Sequence, residues 1–481
     1  MIFSLCTRSL SYHTRRVWQH PQLCLLSTTS PELKSARRTH KLSVPSRNHW
    51  IVHDDLRTHV RESRAEYAIH GDLYERDTGL SVCFLGTGAG RTSLERGNSA
   101  TALRMGSSTF LFDAGEGVQT QMMRSKLKFR DVRKIFITHL HGDHIFGLLG
   151  LLLSMQESGR SSQEDSKRYS TEKYALQIYG PVGLYNFIAM GLSLSMTEIK
   201  RISVEVYELE GGSRRWLHPG GIRNYAEFRH RGVKRISVPP NKDGTWTLCE
   251  AEEIKTPEDA LRFSSRPKGI RIKAAELHHI PKLQCFGYVV EEPQTQPINV
   301  DVEKAMELGL QPGKKYKLLK GGFPVMSDDG LREIRPEDVS VGEPGKPRKF
   351  ALLGDCCNVP RPMAELCRNA DVLIHEATFL ESDSGERVDF GGHSTSAMAG
   401  RFADYVDAKV LLLNHISPAY SGDWDSMRML VQEAEKAIQK SNTRVQASYD
   451  LLELLVPRDG FDFDNDTKKK AVAKTDSTIN S

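Results

Sequence analysis

Short apolar runs closed by glycines or polar turns recur through the middle of the chain, and their spacing sets the architecture. Ser81 to Leu85 reads as a buried strand closed by Gly86 and Gly88. Similar runs cover Ser108 to Phe112, Lys134 to Thr138, Gln177 to Tyr179, Ile202 to Tyr207, Gly287 to Val290, Phe350 to Leu353, Val372 to Ile374 and Val410 to Leu413. Between them, Ile145 to Met155, Thr395 to Tyr405 and Ser426 to Ile438 carry apolar positions at helical spacing. No internal repeat is visible. Strands and helices mixed in this order predict a layered α/β domain over 80–457.

The ends depart from this pattern. From Met1 to Pro31 there is no acidic residue, and Arg8, Arg15 and Arg16 lie among serines and threonines. This composition predicts an organelle transit peptide over 1–45, with arginine favouring a mitochondrion, and a plastid or the cytosol as alternatives. Residues 46–79 read as a linker or N-terminal extension, and 458–481 as a polar, solvated tail. The whole chain is 39% hydrophobic and 26% charged, and no apolar run approaches the ~20 residues of a membrane span, so a transmembrane class is excluded. A net charge of +5 on 481 residues agrees with a polyanionic partner but is too small to argue for one. The eight cysteines are scattered without a C-x-x-C pair, which excludes a zinc knuckle and predicts reduced thiols. Gly86-Thr87-Gly88-Ala89-Gly90 is not a phosphate loop, because Arg91 stands in place of the third glycine and no Gly-Lys-Ser/Thr follows.

The chemistry concentrates in Thr138-His139-Leu140-His141-Gly142-Asp143-His144, between an apolar strand and an apolar helix. Alternation at the strand end lets His139 and His141 converge, and a tight turn at Gly142 folds Asp143 and His144 back. Three imidazoles and a carboxylate this close suit one or two borderline metals such as zinc. His279, Asp355 and His415 each follow a later strand-like run and share one placement, a polar ligand at the rim of a sheet.

At these residues the chain resembles the metallo-β-lactamase superfamily, whose motif His-x-His-x-Asp-His is matched by His139 to His144. Phe84 to Gly88, Asp113-Ala114-Gly115-Glu116-Gly117, Tyr179-Gly180-Pro181, the stretch from Gly309 to Gly321, His375-Glu376-Ala377-Thr378-Phe379 and His393-Ser394-Thr395 narrow the resemblance to ribonuclease Z of the short form. The resemblance implies an αββα sandwich with a projecting basic insertion, acting as a nuclease domain. It implies one zinc on His139, His141 and His279, a second on Asp143, His144 and His415, and Asp355 bridging both, with manganese or iron as alternatives. Two cations sharing a carboxylate acidify water and stabilise both oxygens of an in-line phosphodiester displacement. By the same resemblance Asp143 accepts the proton of the attacking water, and His393, held by Glu376, protonates the departing 3′ oxygen of precursor tRNA. A homodimer is implied too, in which one subunit's arm holds the tRNA for the other's active site. Asp113 either orients a metal ligand or caps its turn.

Three positions depart from the family. Six residues separate His279 from Phe286, two more than expected, so His278 is an alternative ligand. Ala419 stands before Tyr420 where an arginine is usual, and Cys356 where a threonine is common. The arm is expected over 211–236, where Arg214, Arg215, Arg223, Arg229, Arg231 and Lys234 face only Glu227, with Trp216, Tyr225 and Phe228 interleaved. Such a segment follows a phosphate backbone with its cations and offers aromatic faces to bases. Lys314, Lys315, Lys317 and Lys320 form a second basic group, on the RNA path or facing water. The competing readings are a small-molecule ester or phosphodiester hydrolase, which needs no basic insertion, and an RNA-binding homologue that has lost catalysis. Intact Asp143, Glu376 and His393 speak against the latter.

Overall fold

The computed structural model describes residues 79–106, 108–158, 174–212, 229–249, 270–292, 299–341, 346–385, 391–420 and 424–457, with single residues at 257, 261 and 388. The expected transit peptide, nearly all of the linker, the polar tail, and Arg214, Arg215 and Arg223 of the insertion lie outside the described residues.

The apolar runs pair into two sheets. In the first, β1 (Leu80–Gly86), β2 (Ala100–Met105) and β3 (Ser108–Phe112) form an antiparallel meander. β4 (Val132–Phe136), β5 (Tyr174–Pro181), β6 (Ile202–Leu209) and β7 (Val233–Val238) then continue parallel to β3. In the second, β8 (Thr245–Cys249), β9 (Arg271–Leu277) and β10 (Cys285–Glu291) are antiparallel, with β10 antiparallel to β15 (Lys349–Leu352). β16 (Val372–Glu376), β17 (Val410–Asn414) and β18 (Arg444–Ala447) follow parallel to β15, while β19 (Glu453–Leu455) returns to the edge of the first sheet beside β1.

The period of two along each strand explains the layers. Phe112, Phe136, Ile374 and Leu412 point into a core shared by the two sheets, whereas their neighbours Leu111, Ile135, Leu373 and Leu411 point outward. The outward residues of the first sheet are covered by the helices Val118–Arg124, Leu148–Ser158 and Leu184–Leu194. Those of the second are covered by Arg361–Cys367, Ser396–Val406 and Trp424–Ala437. Burial on both faces is why β15, β16 and β17 read as near-continuous apolar runs, whereas β6 alternates between buried and half-buried positions and β7 is largely exposed. The result is the αββα order that the resemblance implies. Between the sheets Phe112, Phe136, Tyr179 and Tyr207 stack in series, their centroids 5.1, 5.2 and 4.6 Å apart. Truncating a fully buried ring such as Phe136 to alanine costs about 3–5 kcal/mol.

A satellite between the sheets' strands in sequence packs around Ala305, Leu310, Leu319, Val325, Ile334 and Val339. It contains β11 (Asn299–Val300) paired with β14 (Ser340–Val341), β12 (Val325–Met326) paired with β13 (Glu333–Ile334), and the basic helix Lys314–Lys320. Among the described residues no helix is long and apolar enough to cross a membrane.

Two sequence expectations need correction. The single helix expected over Ile145 to Met155 is broken into Gly142–Ile145 and Leu148–Ser158. Gly147 causes the break: its N–H donates to the Ala114 carbonyl at 2.9 Å, and a Cβ would lie 2.0 Å from the Gly115 oxygen. The insertion boundary at 236 falls inside β7, so Lys234 is a strand residue, 3.7 Å from Glu205 on β6.

Candidate metal centre

Parallel strands send their C-terminal ends to one rim, and that rim collects the polar residues. After β4, the Ile137 N–H still donates to the Tyr179 carbonyl at 2.8 Å, but the Thr138 N–H turns to the Asp113 carboxylate at 2.7 Å. This turn ends the ladder and releases His139 and His141. Asp113 itself has φ +59°, a left-handed conformation that places its carboxylate under the turn. Gly115 admits the returning chain, because a Cβ there would lie 2.4 Å from the Asp143 carbonyl oxygen.

The second sheet supplies the remaining groups from the ends of β9, β15 and β17. His279 is 2% exposed and faces the cluster. His278 is engaged elsewhere, its carbonyl accepting from the Cys357 N–H at 2.7 Å and its Nδ1 lying 3.1 Å from the Asn358 amide nitrogen. Of the two histidines, the geometry therefore brings His279 into the cluster. Asp355 and His415 are 2% and 3% exposed, and His415 has φ +53°.

Ligand atoms of His139, His141, His279 and Asp355 all lie within 4.8 Å of one another, as do those of Asp143, His144 and His415. His139 Nε2 is 3.0 Å from His141 Nδ1, and His279 Nε2 is 3.3 Å from the same atom. His144 Nε2 and His415 Nε2 are 3.3 Å apart. Asp355 lies between the groups, 3.7 Å from His139 Nε2, 3.5 Å from His144 Nε2 and 3.4 Å from His415 Nε2.

The donor set fits cations. Burial, joined by the neighbouring imidazoles, holds His139 well below the usual histidine range and His141 at about 4; burial also lowers His279. Neutral imidazole is the form that binds a metal. Burial alone would raise the Asp355 carboxyl, but the facing His415, His144 and His139 hold it well below the ordinary range. Asp143 is likewise lowered against burial by His415 and His144.

Four of the histidines are also fixed through a second nitrogen, as metal ligands require. His144 Nδ1 is 2.7 Å from Asp113 Oδ2, His139 Nδ1 is 3.1 Å from Thr138 Oγ1, His415 Nδ1 is 3.1 Å from Thr378 Oγ1, and His279 Nδ1 is 2.7 Å from the Gly392 carbonyl. Asp113 thus orients a ring of the cluster while it also holds the Thr138 turn. Sequence reasoning missed Thr138, Thr378 and Gly392 as orienting groups, although the first two stand inside the motifs it quoted.

Beside the cluster, His393 Nδ1 lies 3.1 Å from Glu376 Oε2 and 3.7 Å from Asp355 Oδ2. Burial opposes charge on His393, but Glu376 and Asp355 outweigh it and bring its pKa up to about 9. Glu376 is fixed in turn by the Cys356 N–H at 2.5 Å and the Thr378 hydroxyl at 2.6 Å. Cys356 thus serves Glu376 through its backbone, which any residue supplies. The Gly90 N–H donates to Asp143 Oδ2 at 2.8 Å, adding the turn after β1 to the site. Ala419 is exposed, while Tyr420 donates to Asp383 at 2.6 Å. Of the basic residues, Arg229, Arg231 and Lys234 are exposed and described; Lys315 is tied to Asp328 at 2.8 Å.

Comparison with known proteins bears on this geometry. The family model described as Anti-Pycsar protein Apyc1 matches residues 80–174. Zinc phosphodiesterase ELAC protein 1 of Homo sapiens is 38% identical over 370 residues, covering 75% of this chain and 94% of that protein. Ribonuclease Z of Bacillus cereus (strain B4264) is 35% identical over 371 residues, covering 76% and 96%. Among solved structures, the short form of human tRNase Z matches at 28% identity and a TM-score of 0.49, covering 78% of this chain and 99% of that one.

Proposed function

The chain belongs to the ribonuclease Z family, and from this membership we infer that it is a metal-dependent endoribonuclease that removes the 3′ trailer of precursor tRNA. Water adds to the scissile phosphorus, and the 3′ oxygen of the tRNA leaves as a hydroxyl. The observation that carries this reading is the match to ribonucleases Z across three quarters of the chain, and the seven clustered histidines and aspartates support it.

His139, His141 and His279 would hold one zinc ion, Asp143, His144 and His415 a second, and Asp355 would serve both. When bound, such ions supply Lewis acidity that acidifies water and draws charge from a phosphodiester. Asp143, aligned by the Gly90 N–H, accepts the proton of the attacking water. His393 commits Nδ1 to Glu376, so Nε2 is left to protonate the departing oxygen. Arg229, Arg231 and Lys234, with Arg214, Arg215 and Arg223, contact the RNA backbone.

We further propose a homodimer formed through the helices Leu148–Ser158 and Leu184–Leu194. Phe146, Leu153, Met190 and Leu194 are exposed on or beside these helices, and among the described residues the buried side-chain oxygen of Asn186 has no hydrogen-bond partner. Paired Met190→Asp and Leu194→Asp changes should halve the mass seen by light scattering, and an unchanged mass would reject the interface. Residues 1–45, fused to a fluorescent protein, should direct it to mitochondria; a diffuse cytosolic signal would exclude that address.

The function is tested by giving zinc-loaded protein a 3′-extended precursor tRNA, bis(p-nitrophenyl) phosphate and a thioester. Release of the trailer with a tRNA 3′-hydroxyl is expected. Turnover of the small substrates without RNA cleavage would instead identify a small-molecule hydrolase, and RNA binding without turnover of any substrate would identify a lapsed enzyme.

A further inference from the structure

The turn between His279 and Phe286 is the one that is longer than the family resemblance leads one to expect, and Gln284 stands in it. Gln284 is 3% exposed, and its amide joins segments distant in sequence. The N–H of Val182, just past β5, donates to Gln284 Oε1 at 3.2 Å, while Gln284 Nε2 donates to the Gly211 carbonyl at 3.0 Å. Both partners are backbone groups of fixed polarity, so chemistry sets which end of the amide faces which.

Gly211 is where the chain leaves β6, on the rim that bears the metal cluster. The backbone there is clamped on further sides. Trp246 Nε1 donates to the Glu210 carbonyl at 3.2 Å, and a Cβ on Gly212, at φ +90°, would lie 1.9 Å from Glu276 Oε1. Glu276 is on β9, three residues before His279. The insertion returns at the other end of β6, where Val233 pairs with Val204 and His230 Nε2 lies 2.8 Å from the Thr197 carbonyl. One foot of the insertion is therefore bonded to the turn that carries His279, and the other stands about 23 Å away along β6, seven residues from Gly211 back to Val204.

We propose that Gln284 is a positioning residue that ties the departing foot of the basic insertion to the His279 turn and keeps bound RNA in register with the metal centre. This rests on the reading of the protein as a tRNA nuclease whose insertion contacts RNA. Gln284→Glu keeps the shape and the acceptor for Val182 but sets a carboxylate oxygen against the Gly211 carbonyl. Gln284→Met removes both hydrogen bonds at similar volume and serves if the buried carboxylate prevents folding.

The experiment measures, for wild type and both variants, zinc per chain, turnover of bis(p-nitrophenyl) phosphate, kcat/KM on precursor tRNA, and the mapped 3′ ends of the product. Both variants should keep their zinc and small-ester turnover within about twofold, lose about tenfold in kcat/KM on precursor tRNA, and spread the cut over neighbouring phosphodiesters. Equal losses on both substrates accompanied by lost zinc would mean that Gln284 only supports the His279 turn. An unchanged kcat/KM with a single cut would also overturn the proposal. If the wild type itself cuts no precursor tRNA, the nuclease reading fails first, and the wild-type reaction alone reveals it.

Discussion

A histidine ligand is a two-ended residue: one nitrogen faces the cation and the other decides where the ring points. At this centre the outer partners are a carboxylate, two threonine hydroxyls and a backbone carbonyl. The clustered residues within Thr138 to His144 were legible because four of them are neighbours in sequence. His279, Asp355 and His415 were legible only through their shared placement after apolar runs. The Gly392 carbonyl was not legible at all, since it meets His279 from 113 residues away and a carbonyl leaves no residue-type signature. Asp143→Ala should abolish cleavage with the fold intact, as judged by circular dichroism, and near-normal turnover would sink the two-metal assignment. His393→Ala should keep its metal while turnover falls about 10²–10⁴-fold through loss of the proton donor. Metal content measured beside activity separates the two roles, because a drop in metal in step with activity would make His393 a ligand.

At the scale of elements, β15, β16 and β17 were easy to find because both of their faces are buried, whereas β2 was not. Its sequence Ala100 to Met105 carries Arg104 and two alanines, and only pairing between β1 and β3 makes it a strand. The insertion boundary was misplaced for a related reason, since the basic residues of β7 resemble those preceding it. A deletion that tests the arm must therefore spare β7 and remove 213–228 alone. Precursor tRNA should then bind more weakly, and the slope of log K against log[salt] should flatten by up to ~0.9 for each helical phosphate that the shortened protein no longer neutralises. Turnover of bis(p-nitrophenyl) phosphate should survive, and its loss would mean that the segment supports the fold. A separate ion pair joins the end of β10 to the start of β15: Arg348, 3% exposed, bonds Glu292 through Nε at 2.9 Å and Nη2 at 2.7 Å. Arg348→Met takes the guanidinium away from the buried Glu292 carboxylate and should cost about 3–5 kcal/mol in urea unfolding. A change below about 1 kcal/mol would show that the pair contributes little.

Across the whole molecule, the metal cluster draws His139, His141, Asp143 and His144 from the first sheet and His279, Asp355 and His415 from the second. Cations bound there would link the two halves of the sandwich, so zinc at a thousandfold over its Kd should add about 4.1 kcal/mol to stability. Calorimetry should show Tm falling on chelation and recovering when zinc is returned. Equal Tm values with and without zinc would argue against a metal at this cluster. The layered class was legible from the order of apolar runs, but the meeting of the two sheets was not, because it depends on packing between residues hundreds of positions apart.

That shared ownership has a consequence for the life of the molecule before it is finished. A chain still emerging during synthesis holds His139 to His144 long before His415 exists, and a chain whose two sheets have come apart holds the two parts of the cluster apart. In neither state is the cluster assembled, so the capacity to cut RNA should arise only once the two sheets have packed together. Incompletely folded copies should therefore leave surrounding transcripts uncut, and in refolding experiments cleavage activity should return together with the packing of the two sheets and not with the early formation of strands.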